Sequence, residues 1–303
     1  MKVLITGGTG FIGRYLVQEL LGRGMEVTVL TSKKDMAAPE DHLDMVQTTY
    51  SYDDVMEKLS GRTYDRFYHL GWGGVDGSRK NDIFLQYNNI GIALDMLRVS
   101  KALHCEVFIA TGTVAEYVFS RDVIDFAMKQ TPNDVYGATK VAVHYMLEAV
   151  AKQIGQNMIW AVLPSTFGPG RRGDNIITYT IRTLLEGRRP LYGKLDQMWD
   201  FLYVTEVTRA LAEIGEKGSY NMTYGIGSGQ YRLLRDYIRT IRDMIDPELP
   251  LGIGERESRG TEPFSSCVNI EQLTKDTGFV PSITFEEGIR QTISYYRLKA
   301  EEH

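Results

Sequence analysis

The sequence predicts an α/β protein: a parallel sheet covered by helices on both faces, followed by a smaller, irregular C-terminal lobe. Three observations carry that prediction. The chain opens on an apolar run that breaks into a glycine-rich turn and then an amphipathic stretch, MKVLITGGTGFIG. Up to Pro169, short β-branched runs alternate with helical periodicity, the rhythm of repeated βαβ units. After Pro169 the texture shifts to short segments broken by Gly187, Pro190, Gly193, Pro247, Pro250 and Gly252.

Strands are predicted at Lys2 to Thr6, Glu26 to Leu30, Arg66 to Leu70, Glu106 to Ala110 and Met158 to Leu163, with a weaker one at Met45 to Thr48. Continuous apolar runs of this length suit a sheet buried on both faces. Helices are predicted at Phe11 to Arg23, closed by Gly24, at roughly Asn81 to Leu103, and at roughly Val135 to Ile154, closed by Gly155. A glycine just past the periodic run supplies the left-handed residue on which helices stop. Six strands in this arrangement fit a doubly wound Rossmann sheet. Residues 1–170 are read as that domain, and residues 171–303 mainly as a substrate-binding lobe with segments returning to the sheet.

The composition is that of an ordinary globular chain. With 34 basic and 39 acidic residues in 303, a net charge of −5 and 43% apolar residues, it can bury a large core and has no basic excess pointing to nucleic acid. Cys105 and Cys267 are far apart and belong to no CxxC or Cys/His pattern, so neither a metal site nor a disulfide framework is predicted. Met1 leads directly into the first strand, and no apolar run approaches the length of a membrane span. A cytoplasmic protein with reduced thiols and no membrane partner is expected.

In Thr6-Gly7-Gly8-Thr9-Gly10-Phe11-Ile12-Gly13 the glycines have separable tasks. Gly7 allows the turn out of the strand, Gly10 lets backbone approach a pyrophosphate, and Gly13 lets helix and strand pack closely. The helix that follows offers unpaired N–H groups and its dipole to the phosphates. Such a turn serves NAD, NADP or a flavin alike. Later in the chain, Tyr136-Gly137-Ala138-Thr139-Lys140 sets a phenol and an ammonium four residues apart on one helix face. An adjacent cation would bring the tyrosine down toward a useful range for proton transfer. The same spacing recurs at Tyr295 and Lys299, without a glycine turn or strand-end hydroxyl, and is read there as structural.

The Gly-x-x-Gly-x-x-Gly spacing resembles the short-chain dehydrogenase/reductase superfamily, and TGGTGFIG its extended, nucleotide-sugar-modifying branch, the NAD-dependent epimerase/dehydratase family. Further segments follow in family order. Phe67-Tyr68-His69-Leu70-Gly71-Trp72 resembles the turn after the fourth strand beside the cofactor, which implies Leu70 and Gly71 as cofactor contacts. Asn88-Asn89-Ile90 resembles the helix whose Asn89 would lie near the substrate. Thr111-Gly112-Thr113-Val114-Ala115-Glu116-Tyr117 resembles the segment whose hydroxyl binds the substrate oxygen. The resemblance makes Thr113, Tyr136 and Lys140 the catalytic triad, Lys140 also reaching the nicotinamide ribose; Thr111 competes with Thr113. Leu163-Pro164-Ser165-Thr166-Phe167-Gly168-Pro169-Gly170 resembles the stretch after the sixth strand, implying Pro164 beside the nicotinamide and Ser165 at the substrate. The cofactor set is then Gly7, Gly10, Phe11, Ile12, Gly13, Thr31, Ser32, Lys33, Leu70, Gly71, Lys140 and Pro164.

Thr31 stands where NAD-type members of the family carry Asp. The run Thr31-Ser32-Lys33-Lys34 suits a 2′-phosphate by charge and hydrogen bonding, favouring NADP(H) over NAD(H); the competing reading is a solvated lysine loop. On the substrate side, Trp199-Asp200-Phe201-Leu202-Tyr203-Val204-Thr205-Glu206 resembles a nucleotide-sugar segment that begins with Arg and ends with Asp, both changed here. Arg259-Gly260-Thr261-Glu262-Pro263 resembles a later stretch whose Arg meets a diphosphate, with Arg171 and Arg172 as rivals. The substrate set is Asn89, Ser165, Arg171, Trp199 and Arg259. Trp72 and Trp199 could stack on a ring or belong to a core, and His69 and His144 read as packed or capping.

In the family's 4,6-dehydratases the residues after the catalytic Thr are Asp and Glu, the acid and base that eliminate water. Val114 and Ala115 occupy those places, and Ala115 also replaces the Cys of the 3,5-epimerase/reductases. The expectation is an NADPH-dependent reductase of a 4-keto-deoxysugar carried on a nucleotide. The alternatives are a 4-epimerase using bound NAD and a non-catalytic dinucleotide sensor. A homodimer through the two long helices is expected from the resemblance.

Overall fold

Strand β1 (Lys2–Thr6) is buried from its second residue onward, as a continuous apolar run in a covered sheet must be. In the computed structural model, which describes residues 1–33, 41–118, 123–173, 175–257 and 265–301, it lies at the centre of a parallel sheet. It turns into α1 (Phe11–Gly22), whose Gly13, Leu16, Val17 and Leu20 recur every three or four residues and form one buried stripe. β2 (Glu26–Thr31) and β3 (Leu43–Gln47) extend the sheet on one side. The short α2 (Tyr52–Lys58), capped by Ser51, leads to β4 (Arg66–His69), which pairs with the other edge of β1. α3 (Ile83–Ala102) starts at the Asp82 cap and leads to β5 (Val107–Thr113). α4 (Val135–Ile154) starts at the Asp134 cap, stops on Gly155 at φ 65°, and leads to β6 (Asn157–Leu163).

The irregular second half carries β7 (Ser165–Phe167), α5 (Ile176–Leu185), β8 (Leu191–Tyr192), β9 (Met198–Trp199) and β10 (Phe201–Tyr203). It then runs through α6 (Val204–Lys217), β11 (Met222–Gly225), β12 (Arg232–Leu233), α7 (Leu234–Ile245), β13 (Gly252–Ile253), α8 (Glu271–Thr277) and α9 (Phe285–Glu301). Two of these segments return to the main sheet. β11 pairs in parallel with β6, Met222 to Gly225 lying opposite Ile159 to Val162, so the order is β11-β6-β5-β4-β1-β2-β3. The sheet therefore has seven strands, not the six expected. α6 covers one face next to α1, burying Val207, Leu211 and Ile214 at helical spacing.

Two cores flank the sheet. One joins α1, α6 and α8 through Leu16, Leu20, Leu211 and Leu273; the other joins α2, α3 and α4 through Val55, Leu97, Leu147 and Trp160. A third, aromatic core of Phe167, Phe201, Tyr237 and Phe285 belongs to the lobe. No helix among the described residues is long and apolar enough to cross a membrane. Because the chain winds away from β1 in both directions, a crevice opens at the carboxyl ends of β1, β2 and β4, where doubly wound sheets bind ligands.

Candidate active site

The glycine turn leaves β1 into that crevice. Gly7 adopts φ 76°, a conformation that disfavours any side chain, and a Cβ there would lie 2.6 Å from the Gly71 nitrogen. A Cβ on Gly13 would come within 2.0 Å of the Gly7 carbonyl oxygen, so α1 sits directly against the turn. Gly10 caps α1 with no side-chain hydrogen bond, and the first turn holds no acidic residue. The amides and dipole of α1 thus remain available to an external anion, and the turn fits a dinucleotide pyrophosphate. Phe11, half-buried like Ile12, is flanked by the guanidinium groups of Arg14 at 5.7 Å and Arg171 at 5.6 Å from its ring centroid.

The neighbouring strand ends close around this turn. Thr6 Oγ1 lies 2.7 Å from His69 Nδ1 and accepts the Gly71 N–H at 3.2 Å, tying Leu70 and Gly71 to the glycine turn. At the end of β2, Thr31 is buried and its hydroxyl accepts the Lys33 N–H at 3.2 Å, while Ser32 and Lys33 are exposed. Thr31 therefore shapes the turn, and Ser32 and Lys33 are the groups it presents. Lys34 lies outside the described residues. A separate polar cavity of about 520 Å³ opens at the opposite ends of β1 to β3, lined by residues such as Glu26, Asp44 and Arg62, remote in the sheet from the glycine turn.

Thr113 ends β5 and caps a 3₁₀ turn, Val114–Tyr117; Tyr136 and Lys140 come from the first turns of α4. A Cβ on Gly137 would meet the Ala115 carbonyl at 2.5 Å, so α4 is seated flush on the turn that Thr113 caps. The Thr113 side chain acts on the Tyr136 phenol. Burial pushes the phenol above the ordinary value, and Thr113 opposes that rise. Lys140 is buried; its ammonium donates to the Thr111 carbonyl at 2.8 Å and sits 3.7 Å from the Trp72 ring centroid. The expected Lys140 effect on the phenol is corrected accordingly: helical spacing brings the two together, but the ammonium is turned to Thr111 and Trp72, and desolvation dominates at Tyr136. Burial lowers Lys140 to about 7, against the opposing charge of Glu116. Thr111, with its hydroxyl on the His69 carbonyl at 3.4 Å, anchors the lysine rather than replacing Thr113.

Glu116 is the residue that sequence reasoning passed over. It is fully buried beside the triad and accepts the Thr113 N–H at 2.7 Å. The signal was present, since Thr113-Val114-Ala115-Glu116 has the spacing of a capping box.

On the substrate side the structure redistributes the expected roles. Asn89 is buried and clasps Gly73, accepting its N–H at 3.1 Å and donating to its carbonyl at 2.9 Å, so it holds a loop instead of facing a substrate. Trp199 is half-buried and packs at a tilt on Phe201, 6.2 Å between centroids, at the edge of the lobe core, its Nε1 without a hydrogen-bond partner among the described residues. Pro164 is buried at the carboxyl end of β6, and Ser165 follows it, half-buried, with its hydroxyl 3.4 Å from that of Ser266. Arg171 reaches the Thr166 carbonyl at 3.3 Å and Asp76 at 3.4 Å while lying over Phe11, which places it beside the glycine turn. Arg259 falls outside the described residues. His69 is packed on Phe108, and His144 stacks on Trp160 with centroids 4.4 Å apart. Tyr295 belongs to α9 and the edge of the lobe core, its ring 5.3 Å from that of Tyr296, whose hydroxyl donates to the Arg171 carbonyl.

The sequence profile of the NAD dependent epimerase/dehydratase family matches residues 3–227. The chain is 26% identical to the dTDP-glucose 4,6-dehydratase of Escherichia coli over 334 residues, covering 98% of this chain and 92% of that protein. Its fold is similar to that of the Thermotoga maritima UDP-glucose 4-epimerase solved with UDP-glucose, at a TM-score of 0.87 and 20% identity over 99% of this chain and all of that one. It is likewise similar to the Bacillus anthracis dTDP-glucose 4,6-dehydratase solved with NAD, at a TM-score of 0.85 and 18% identity over 99% and 98% of the two chains. With a glycine turn shaped for a dinucleotide, and with Thr113 at the end of β5 and Tyr136 and Lys140 at the start of α4, the chain belongs to the NAD dependent epimerase/dehydratase family and is an enzyme of the extended short-chain dehydrogenase/reductase type.

Proposed function

We propose that this enzyme reduces the 4-keto group of a nucleotide-linked deoxysugar, with NADPH as the reductant. The observation that carries the reading is the pair Val114 and Ala115, which follow Thr113 where 4,6-dehydratases need an acid and a base. Neither side chain can exchange a proton, so the triad's own hydroxyl groups serve the carbonyl. When bound in the crevice, the nicotinamide supplies a hydride to the carbonyl carbon. Thr113 orients the carbonyl oxygen, and Tyr136 transfers its phenolic proton to that oxygen as negative charge develops. A phenol held above its ordinary pKa by burial stays protonated at neutral pH, which suits a proton donor. The Lys140 ammonium, anchored on the Thr111 carbonyl, binds the ribose.

The exposed Ser32 and Lys33 support NADP(H), offering a hydroxyl and a positive charge to a 2′-phosphate. Arg171, whose Nε is buried without a hydrogen-bond partner among the described residues, is proposed to meet the substrate diphosphate. Exposed Phe84 and Tyr87 on α3, with Tyr145 on α4, support a homodimer through those helices. Free, buried Cys105 and Cys267 accord with a cytoplasmic location. A 4-epimerase using bound NAD is the second reading, favoured by the family's NAD dependence. The intact triad weighs against a non-catalytic sensor.

The test is NADPH and NADH oxidation with a panel of 4-keto nucleotide sugars, alongside assay of protein-bound NAD. NADPH consumed in step with the reduced product is expected. Interconversion of 4-epimers without net NADPH oxidation would overturn the reductase in favour of the epimerase. Tyr136→Phe should leave the cofactor Kd within about threefold while turnover falls by at least about 100-fold.

A further inference from the structure

The carboxylate of Glu116 is fully buried, yet its capping role uses only one of its oxygens. Oε1 accepts the Thr113 N–H at 2.7 Å, while Thr113 Oγ1 accepts the Ala115 N–H at 3.2 Å. Oε2 is buried with no hydrogen-bond partner among the described residues. The backbone carbonyl of Glu116 accepts the Thr131 N–H at 2.7 Å, so the same residue also fastens the approach to α4. The space is tight: a Cβ on Gly112 would lie 2.3 Å from Trp160 Nε1 and 2.7 Å from Glu116 Oε1. Retaining a second, unpaired carboxylate oxygen in such a place is costly unless a charge compensates it.

The compensating group comes from α4. Lys140 Nζ, held on the Thr111 carbonyl next to Gly112, stands 5.8 Å from the centroid of the Trp160 ring, whose Nε1 shares the Gly112 space with the carboxylate, and Tyr136 and Tyr117 feel the charge of Glu116. The Lys140 charge in turn adds to the burial that holds His69 on β4 neutral, and His144 on α4, also held neutral by burial, lies against the Trp160 ring. Lys140 is thus the buried cation of this cluster, and its charge and that of Glu116 act on each other. A neutral acceptor such as glutamine would satisfy the cap equally well, so capping does not account for the negative charge.

We propose that Glu116 is a positioning residue for the triad: one carboxylate oxygen fixes the Thr113 backbone, and the buried negative charge keeps Lys140 an ammonium. The inference rests on the catalytic roles given above to Thr113 and Lys140, but its test is run on the resting protein without substrate. In Glu116→Gln the cap persists and the charge is gone. Titrated by lysine ¹³C NMR, with Lys140→Met to assign the signal, the Lys140 midpoint should fall by about one pH unit or more. The alkaline limb of cofactor binding should move down with it, and binding should converge with the wild type only well below the lowered midpoint. An unchanged Lys140 midpoint in a folded Glu116→Gln protein overturns the proposal and leaves Glu116 a cap. Should that variant not fold, reciprocity supplies the second test: in Lys140→Met the Glu116 carboxyl, followed by infrared difference spectroscopy, should titrate about one unit or more higher. No movement there overturns the proposal equally. Failure of the ketoreductase reading would appear as absent NADPH turnover, while these titrations would still be readable.

Discussion

At Gly13 the fold leaves room for a hydrogen atom and nothing larger. A methyl group there would meet the Gly7 carbonyl oxygen at 2.0 Å and its carbon at 2.7 Å, both backbone atoms that cannot swing aside. Either α1 lifts off the turn or the turn deforms, and both spoil the surface offered to the pyrophosphate. Gly13→Ala is expected to cost on the order of 3 kcal/mol in urea unfolding, at the upper end of overpacking effects. It should weaken dinucleotide binding at least tenfold by fluorescence titration. Wild-type stability together with wild-type affinity would mean that the close approach of helix and turn does not matter.

In the proposed mechanism the element that decides activity is α4, because Tyr136 and Lys140 both lie in its first turns. Its start is fixed by Asp134, whose side chain accepts the Gly137 N–H at 2.7 Å, and whose other oxygen lies 3.8 Å from Lys80 Nζ. That Lys80 ammonium in turn sits 5.2 Å from the Tyr136 ring centroid. Asp134→Ala removes an N-cap worth about 1 kcal/mol and frees the turn carrying the tyrosine. A lower Tm by roughly 2 °C is expected, with kcat reduced more than cofactor affinity, and Asp134→Ser should restore most of both. If the alanine variant kept the wild-type Tm and kcat, the cap would have no part in presenting Tyr136. The start of this helix was legible in the sequence, where Asp134 precedes the periodic run and Gly155 ends it. The targets of its side chains were not: Lys140 anchors on Thr111, in a strand 29 residues earlier, and no local periodicity encodes that pairing. Asn89 is a similar case, since its partner Gly73 lies 16 residues away across a loop.

Across the whole molecule, the strands up to β6 and the helices α1, α3 and α4 could be read because each is a local apolar pattern; the seven-residue α2, with Val55 its one buried residue, was not read. β11 and α6 could not, because their place in the main sheet and beside α1 is fixed by tertiary pairing with segments far back in the chain. The same long-range packing buries titratable groups whose charge states the sequence does not reveal. Burial lowers His69 to about 3 and His144 to about 4, and raises Glu116 and Asp200 to about 7. These act in opposite directions on acidification. A histidine held neutral is protonated in the unfolded chain from about pH 6.5 downward but not in the fold, so its contribution to stability is lost as pH falls toward its folded pKa. A buried carboxyl with a raised pKa takes up its proton earlier in the fold than in the unfolded chain, so it adds stability as pH falls from 7 toward its ordinary value. The His144 share can be isolated because its ring stacks nearly parallel on Trp160, at 5°, and a phenyl ring can take that place. Relative to wild type, His144→Phe should gain stability between pH 7.5 and pH 4 by up to roughly 3 kcal/mol, at about 1.4 kcal/mol per pKa unit. Urea midpoints at those two pH values measure the difference. A gap between variant and wild type that is the same at both would show that His144 does not resist protonation in the fold.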